Sequence, residues 1–414
     1  MTKLLENIVE KILKNYFDKN QIAEYKSILQ KSSVTSKSSN KLPSGSVDNE
    51  QLERDFTPFT TLPSYIDLLI TYATEKLPKL TLIELLMFMG EDYVVQGQFE
   101  IAEQIYLHIL SIVKNESEYQ NISASALLSL GIVYSQLAQW KKSVTNINQA
   151  RKLFEKHKNF KGCARCNNIL GTVYGDRGDM VKAKKCFQDS LTLLNTRTDI
   201  ALIGNLELNM GILENMQGNF ESAFYYYQRA LIKYEQLKDN RRLAELRHNM
   251  GMLYSQRGEY ELAKIEFDKS IAISLNESYM PKLALSYLGK AFVFAQLNDF
   301  PLAIAFADKS LDISLQIKDR LTVADIYKVK GIVEKKKKNY EMSENYLLTS
   351  FRINTEVENI LNQAESAYEL GELYIEMKKT IDAKRYLQIA LKKYSKLNAE
   401  PVVKKMQQLL AKIR

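Results

Sequence analysis

Three groups of residues in this chain have types and spacings that could do chemistry, and each lacks something that chemistry needs. Cys163-Ala164-Arg165-Cys166 could begin a structural zinc site, which takes four ligands. Nothing completes it: there is no second CxxC or paired His, and His108, His157 and His248 are dispersed along the chain. Gly175-Asp176-Arg177-Gly178-Asp179 has the glycines of a phosphate loop without the Lys and Ser/Thr that would touch phosphate and metal. Glu365 with Glu369 and Glu372 with Glu376 could be paired carboxylates for general acid–base work. Such pairs are ubiquitous on charged helices, however, and no apolar surroundings mark these for a raised pKa. We therefore expect no enzyme, with no catalytic, cofactor-binding or metal-binding residue, and read Cys166 as a core side chain and the Gly175 stretch as a turn.

What is left is binding, and the elements that would position a binding surface repeat. A glycine recurs at a spacing of 40, in strict register at Gly171, Gly211, Gly251, Gly331 and Gly371, with Gly90 and Gly131 just ahead; most have an aromatic three residues on. A longer phrase surrounds each one. It reads Gly251, Tyr254, Gly258, Tyr260, Ala263, Phe267 and Ser270 in one unit, and Gly171, Tyr174, Gly178, Met180, Ala183, Phe187 and Ser190 in another. A fixed period of this size marks a repeat protein. Small and aromatic residues at helical spacing predict two antiparallel helices per unit, the Gly and Ala or Ser allowing close approach and the aromatics filling the gaps between. Gly258 and its equivalents fall where the first helix ends, a place that favours positive φ.

The phrase L-G-x-x-Y, then G-x-[YF], then A-x-x-x-[FY] and A or S, resembles the tetratricopeptide repeat over roughly residues 83–395, in about eight units. The units are longer than the usual ~34 residues and lack a proline closing each second helix. In this they are similar to the long-unit repeats of kinesin light chains, spindle-orientation adaptors and bacterial Rap-type regulators. The sixth unit departs from the pattern, with Ala291 at the Gly place, Asn298 at the turn and Ala307 at the aromatic place. The resemblance implies an all-α protein, a right-handed α-solenoid superhelix with helical caps. We divide the chain into an N-terminal amphipathic helical segment (1–30), a flexible linker rich in Ser, Lys and Asn (31–60), a capping helix (61–82), the solenoid (83–398) and a C-terminal capping helix (399–414). In a solenoid each unit contacts only its neighbours, so a ribbon-like core is expected.

The resemblance also implies that the first helix of each unit lines a concave groove. The residues it places there are Arg165, Asn168 and Thr172 in the third unit, and Asn205, Asn209, Asn215 and Met216 in the fourth. The fifth adds Glu245, His248, Asn249, Met252, Ser255 and Gln256, and the sixth Phe292 and Gln296. Asparagine is a poor helix-interior residue, so this cluster asks for a reason. A carboxamide offers donors and an acceptor suited to the backbone of an extended peptide; the same groups can also bond one another, adjacent helices or water. Toward the C-terminus the groove places carry Asp325, Lys328, Lys335 and Lys336, then Glu365, Tyr368, Glu369, Glu372 and Glu376, bands that could steer a charged partner or a second copy of the chain.

Composition narrows the rest. The 57 basic residues exceed the 49 acidic ones by +8 but are interspersed with them, as on solvated helix faces. The run Lys335 to Lys338 reads as a solvated helix terminus. Tyrosines fall mostly at core places rather than on exposed basic platforms, so nucleic acid is not the expected partner. Three cysteines fit a reducing compartment. No uncharged apolar stretch approaches the ~18 residues of a spanning helix, so no membrane insertion and a cytoplasmic location are expected. The expected function is a non-enzymatic protein–protein interaction scaffold or adaptor that binds a peptide or helix of a partner in the groove. The alternatives are a peptide-responsive signalling regulator of the Rap type and an RNA-binding solenoid, and self-association stays open.

Overall fold

The computed structural model describes residue 10 and residues 12–35, 64–114, 116–397 and 399–413. All regular structure among the described residues is helical, and it forms two compact bodies, residues 1–94 with 98–116 and residues 95–97 with 117–414.

The first body holds α1 (Lys19–Thr35), α2 (Ser64–Lys76), α3 (Lys79–Val95) and α4 (Phe99–Ile112). Tyr72 of α2 ties α1 down: its hydroxyl lies 2.9 Å from both the Gln21 carbonyl oxygen and the Glu24 carboxylate, and its ring meets those of Phe17 and Tyr25 at 5.5 Å. α1 runs on through residues 31–35 of the expected linker, where Ser and Thr are weak helix formers but not breakers. Linker residues 36–60 lie outside the described residues, as do residues 1–9 and 11 of the N-terminal amphipathic segment. α3 and α4 are the first repeat pair, and a Cβ on Gly90 would sit 2.6 Å from the Tyr106 ring.

The second body stacks seven further pairs: α5 (Gln120–Gln136) with α6 (Trp140–Lys156), α7 (Phe160–Asp176) with α8 (Met180–Thr192), α9 (Ile200–Met216) with α10 (Phe220–Leu237), and α11 (Asn240–Gln256) with α12 (Tyr260–Asn276). Then come α13 (Met280–Gln296) with α14 (Phe300–Gln316), α15 (Arg320–Lys336) with α16 (Tyr340–Glu356), α17 (Ile360–Glu376) with α18 (Thr380–Lys396), and a last helix, α19 (Glu400–Lys412). These are units 2 to 8 of a right-handed α-solenoid. Within each unit the two helices approach through the repeat glycine. A Cβ on Gly171 would lie 2.4 Å from Phe187, on Gly211 2.5 Å from Tyr227, and on Gly251 2.7 Å from Phe267, always the residue sixteen places on. Unit 6 keeps the fit by exchanging both partners for small residues: Ala291 and Ala307 share one buried cluster. Its Gly289 instead receives the Phe267 ring of unit 5, 2.4 Å from where a Cβ would stand.

The links between helices are nearly identical. The Asp179 N–H reaches back to the Tyr174 carbonyl at 2.8 Å and the Gly178 N–H to the Gly175 carbonyl at 2.8 Å, a Schellman closure that puts Gly178 at φ +79°. Asp179 then caps α8 by accepting from the Lys182 N–H. Asn159, Asp239, Asp299, Asp319 and Asn359 cap their helices the same way. These caps start the first helices at 160, 240, 320 and 360, four residues ahead of the unit starts near 164, 244, 324 and 364 that the repeat phrase suggests.

First helices of successive units touch one another from α5 through α17, whereas second helices make no comparable contact, so the first helices form the inner wall of the superhelix. The core is not the simple ribbon expected. Met180, Phe187 and Leu213 of units 3 and 4 share a cluster with Leu387 and Leu397 of unit 8 and Met406 of α19, because the superhelix completes a turn within the second body.

Candidate functional site

The inner wall is built from the residues that face inward from α7, α9, α11, α13, α15 and α17, and two kinds of polar group stand on it. The first kind is satisfied within the chain. Asn209 donates its amide N–H to Asn168 Oδ1 at 2.9 Å across adjacent helices, and Tyr234 donates to Asn205 Oδ1 at 2.8 Å. Ser255 turns back to the Gly251 carbonyl at 2.8 Å. His248 is buried, with Nδ1 3.2 Å from Ser286 Oγ and its ring 5.6 Å from Phe267. Burial and then the nearby Lys282 ammonium hold its pKa well below the usual imidazole value, so the ring is neutral.

The second kind has no side-chain partner within the chain. Asn215 Oδ1 is buried without a hydrogen-bond partner. The side chain of Asn249, one unit on from Asn209 at the same repeat place, is half-buried and open to solvent, and Gln256 is exposed. Met216 and Met252 are half-buried against neighbouring clusters, as is Phe292, and lend the wall apolar surface between the amides.

Asp176 is a wall residue that the sequence reading treated only as part of a turn. It ends α7, is half-buried, and makes no hydrogen bond or ion pair; its removal from water pushes the carboxyl up to about 7. Its place in the repeat, one unit before Met216, was the available signal. Near the start of α11, Glu245 accepts from Arg242 at 2.7 Å and from the Tyr279 hydroxyl at 2.6 Å. Burial alone would raise this carboxyl; Arg242, Lys282 and the two hydrogen bonds outweigh it and hold the pKa below the usual range.

The charged bands of units 7 and 8 are consumed by each other. Lys328 bonds both Asp325 and Glu365, and Asn362 donates to Asp325 at 2.9 Å. Lys335 reaches Glu369 at 2.7 Å and Glu372 at 3.3 Å, and the Tyr368 hydroxyl donates to Glu372. Lys335 is itself buried, so half of the lysine run read as a solvated terminus belongs to the wall: Lys336 donates to Gln296 Oε1 at 3.2 Å. Cys163 and Cys166 sit in the core shared by α5, α6 and α7, and burial pushes the Cys166 thiol up to about 12. Among the described residues, no group of three or more His, Cys, Asp or Glu is placed to hold a metal, and no helix is long and apolar enough to cross a membrane.

With this geometry in view, comparison with known proteins finds the tetratricopeptide repeat family description matching residues 81–156 and 202–276. The chain carries tetratricopeptide repeats. A curated relative, the transcriptional activator NprA of Geobacillus stearothermophilus, is 23% identical over 145 residues, a stretch that spans 35% of this chain and 36% of that protein. Among solved structures, the apo form of the quorum sensor NprR from B. thuringiensis is similar at 15% identity over 80% of this chain and 92% of that one, with a TM-score of 0.49. A Rap protein complexed with Competence and Sporulation Factor is similar at 15% identity over 84% of this chain and 82% of that one, with a TM-score of 0.39.

Proposed function

We propose that this protein is a non-enzymatic interaction scaffold whose inner wall, at units 3 to 6, holds an extended peptide of a partner. The observation that carries this reading is the contrast between equivalent places. Asn209 is bonded within the chain while Asn249 is not, Asn215 keeps a buried oxygen with no donor, and Asp176 keeps a carboxylate with no cation. A buried polar atom left unpaired costs about 1–3 kcal/mol, and the N–H groups of a bound peptide backbone would recover that cost. The Asn168–Asn209 pair still has an N–H and an acceptor lobe to turn outward. Units 7 and 8 contribute shape rather than binding groups, since their charges are already paired. The similarity to a transcriptional activator spans about a third of each chain and supports shared repeats; a regulatory output would be an addition to peptide holding, not a replacement for it.

The test is a selection of random twelve-residue peptides displayed on phage against the purified protein, run in parallel on Asn209→Ala/Asn249→Ala after circular dichroism shows both folded. Sequences that converge on the wild type and vanish on the variant support the reading. Convergent sequences kept by the variant place binding elsewhere on the molecule, and no convergence on either removes the proposal.

A further inference from the structure

Successive turns of the superhelix meet along a seam that brings units 2 to 4 against units 7 and 8 and α19. Trp140, the single tryptophan, is buried at the start of α6 and donates its Nε1–H to the Val357 carbonyl at 2.7 Å, across 217 residues of sequence. One unit on, the turn after α7 meets unit 8: a Cβ on Gly178 would lie 3.1 Å from Leu397 and 3.3 Å from Ile360, and Arg177 stands 4.0 Å from Glu358. At Gly218 a Cβ would lie 3.3 Å from Pro401.

The repeat itself is written differently on the two sides of this seam. The residue at the end of the second helix is His157 in unit 2, Leu237 in unit 4, two residues ahead of the Asp239 cap of unit 5, and Glu277 in unit 5, none of them buried. At the same place units 6, 7 and 8 carry Ile317, Val357 and Leu397, with 2%, 7% and 0% of their surface exposed. The turn after the first helix is small in units 2 to 5, at Ala138, Gly178, Gly218 and Gly258, and becomes Asn298, Lys338 and Lys378 in units 6 to 8. All seven share positive φ. A repeat that met only its neighbours would have no reason to bury Ile317, Val357 and Leu397 where the equivalent places of units 2, 4 and 5 are not buried. Beside these turn contacts the seam includes the buried cluster that Met180, Phe187 and Leu213 share with Leu387, Leu397 and Met406, so parting it exposes that apolar surface while leaving the helix pair within each unit intact, as a hinged two-state element requires.

We propose that this seam is the gate of the inner wall: the free protein holds it shut, and an extended chain gains the wall from the side when it parts. The proposal rests on reading the inner wall as the binding surface, but its test needs no ligand, so either can fail alone. Gly178→Leu and Gly258→Leu form a matched pair, because both glycines have φ +79° and pay the same backbone strain. Only Gly178 crowds the seam; Gly258 meets nothing within 4 Å.

Acrylamide quenching of Trp140 reads the seam directly. The quenching constant is expected to rise at least ~2-fold in Gly178→Leu and to stay at the wild-type value in Gly258→Leu. Access to the wall is read by adding Asn249→Cys and Cys186→Ser to all three proteins. The introduced thiol is then labelled with N-ethylmaleimide or a ~2 kDa polyethylene glycol maleimide. Gating predicts that Gly178→Leu speeds the bulky reagent by about 5-fold or more while leaving the small one unchanged, and that Gly258→Leu changes neither. A Trp140 that stays protected in Gly178→Leu overturns the seam. A Trp140 that becomes exposed while the bulky reagent reacts equally fast in all three proteins overturns the gate. If Gly178→Leu proves unfolded by circular dichroism, Gly178→Ala against Gly258→Ala is read by the same outcomes.

Discussion

Replacing Asp176 by asparagine should stabilise the protein, and more so at high pH. The carboxyl is half-buried at the end of α7 without a cation or a hydrogen bond, and desolvation pushes its pKa from 3.8 up to about 7. The sign follows from proton binding. Above 3.8 the unfolded chain releases this proton while the native state keeps it until about 7, so native stability falls as pH rises through that window. Each unit of pH inside the window costs up to ~1.4 kcal/mol. Between pH 5 and pH 8 the full linkage is ~2.6 kcal/mol, and allowing for the solvent that reaches this half-buried group leaves about 1–3 kcal/mol. Asparagine keeps the shape and carries no charge. Urea titrations of wild type and Asp176→Asn at both pH values should show the variant's advantage growing by that amount at pH 8. An advantage that is the same at both pH values, or a variant that is less stable at pH 8, would refute the reasoning, because it would mean the carboxylate is solvated or paired in the native protein.

The turns give an opposed pair of effects. Gly258→Ala should cost about 1 kcal/mol through φ +79° alone, whereas Lys378→Gly, at φ +58°, should gain about 0.5–1 kcal/mol, both read by urea midpoints; the reverse signs would remove left-handed closure as the reason for glycine there. Phe267→Ala should cost about 3–5 kcal/mol, since the ring fills the hollows of both Gly251 and Gly289; a thermal melt showing a loss under ~1 kcal/mol would mean the helices close over the gap. With Ellman's reagent at pH 8, Cys186 should react first and Cys166 only on unfolding, because burial pushes that thiol up to about 12; rapid native reaction of Cys166 would contradict its place in the core.

The solenoid was legible because its defining contact is local. Gly171 and Phe187 stand sixteen residues apart and meet across one turn, so the period exposes them both. The sixth unit looked degenerate for the same reason and is not: losing the glycine and the aromatic together preserves the fit. Helix starts shifted by four residues because Asn159, Asp239 and their equivalents cap the helices ahead of the apolar phrase. The seam was not legible as a contact, since Trp140 and Val357 are 217 residues apart and only their unlike neighbours in the repeat hint at it. The inner wall divided in the same way. Residue type placed the asparagines there, but which of them bond one another depends on the offset between adjacent helices, and Lys335 looked solvated until α17 brought Glu369 against it.

The central claim is that the inner wall holds a peptide, and calorimetric titration tests it most directly. The peptide consensus from the selection would be titrated into wild type and into Asn209→Ala/Asn249→Ala. Loss of about two hydrogen bonds predicts affinity at least ~10-fold weaker, some 1.4 kcal/mol, with stoichiometry and fold unchanged. Equal affinity for both proteins would contradict the account and move the binding surface off the inner wall.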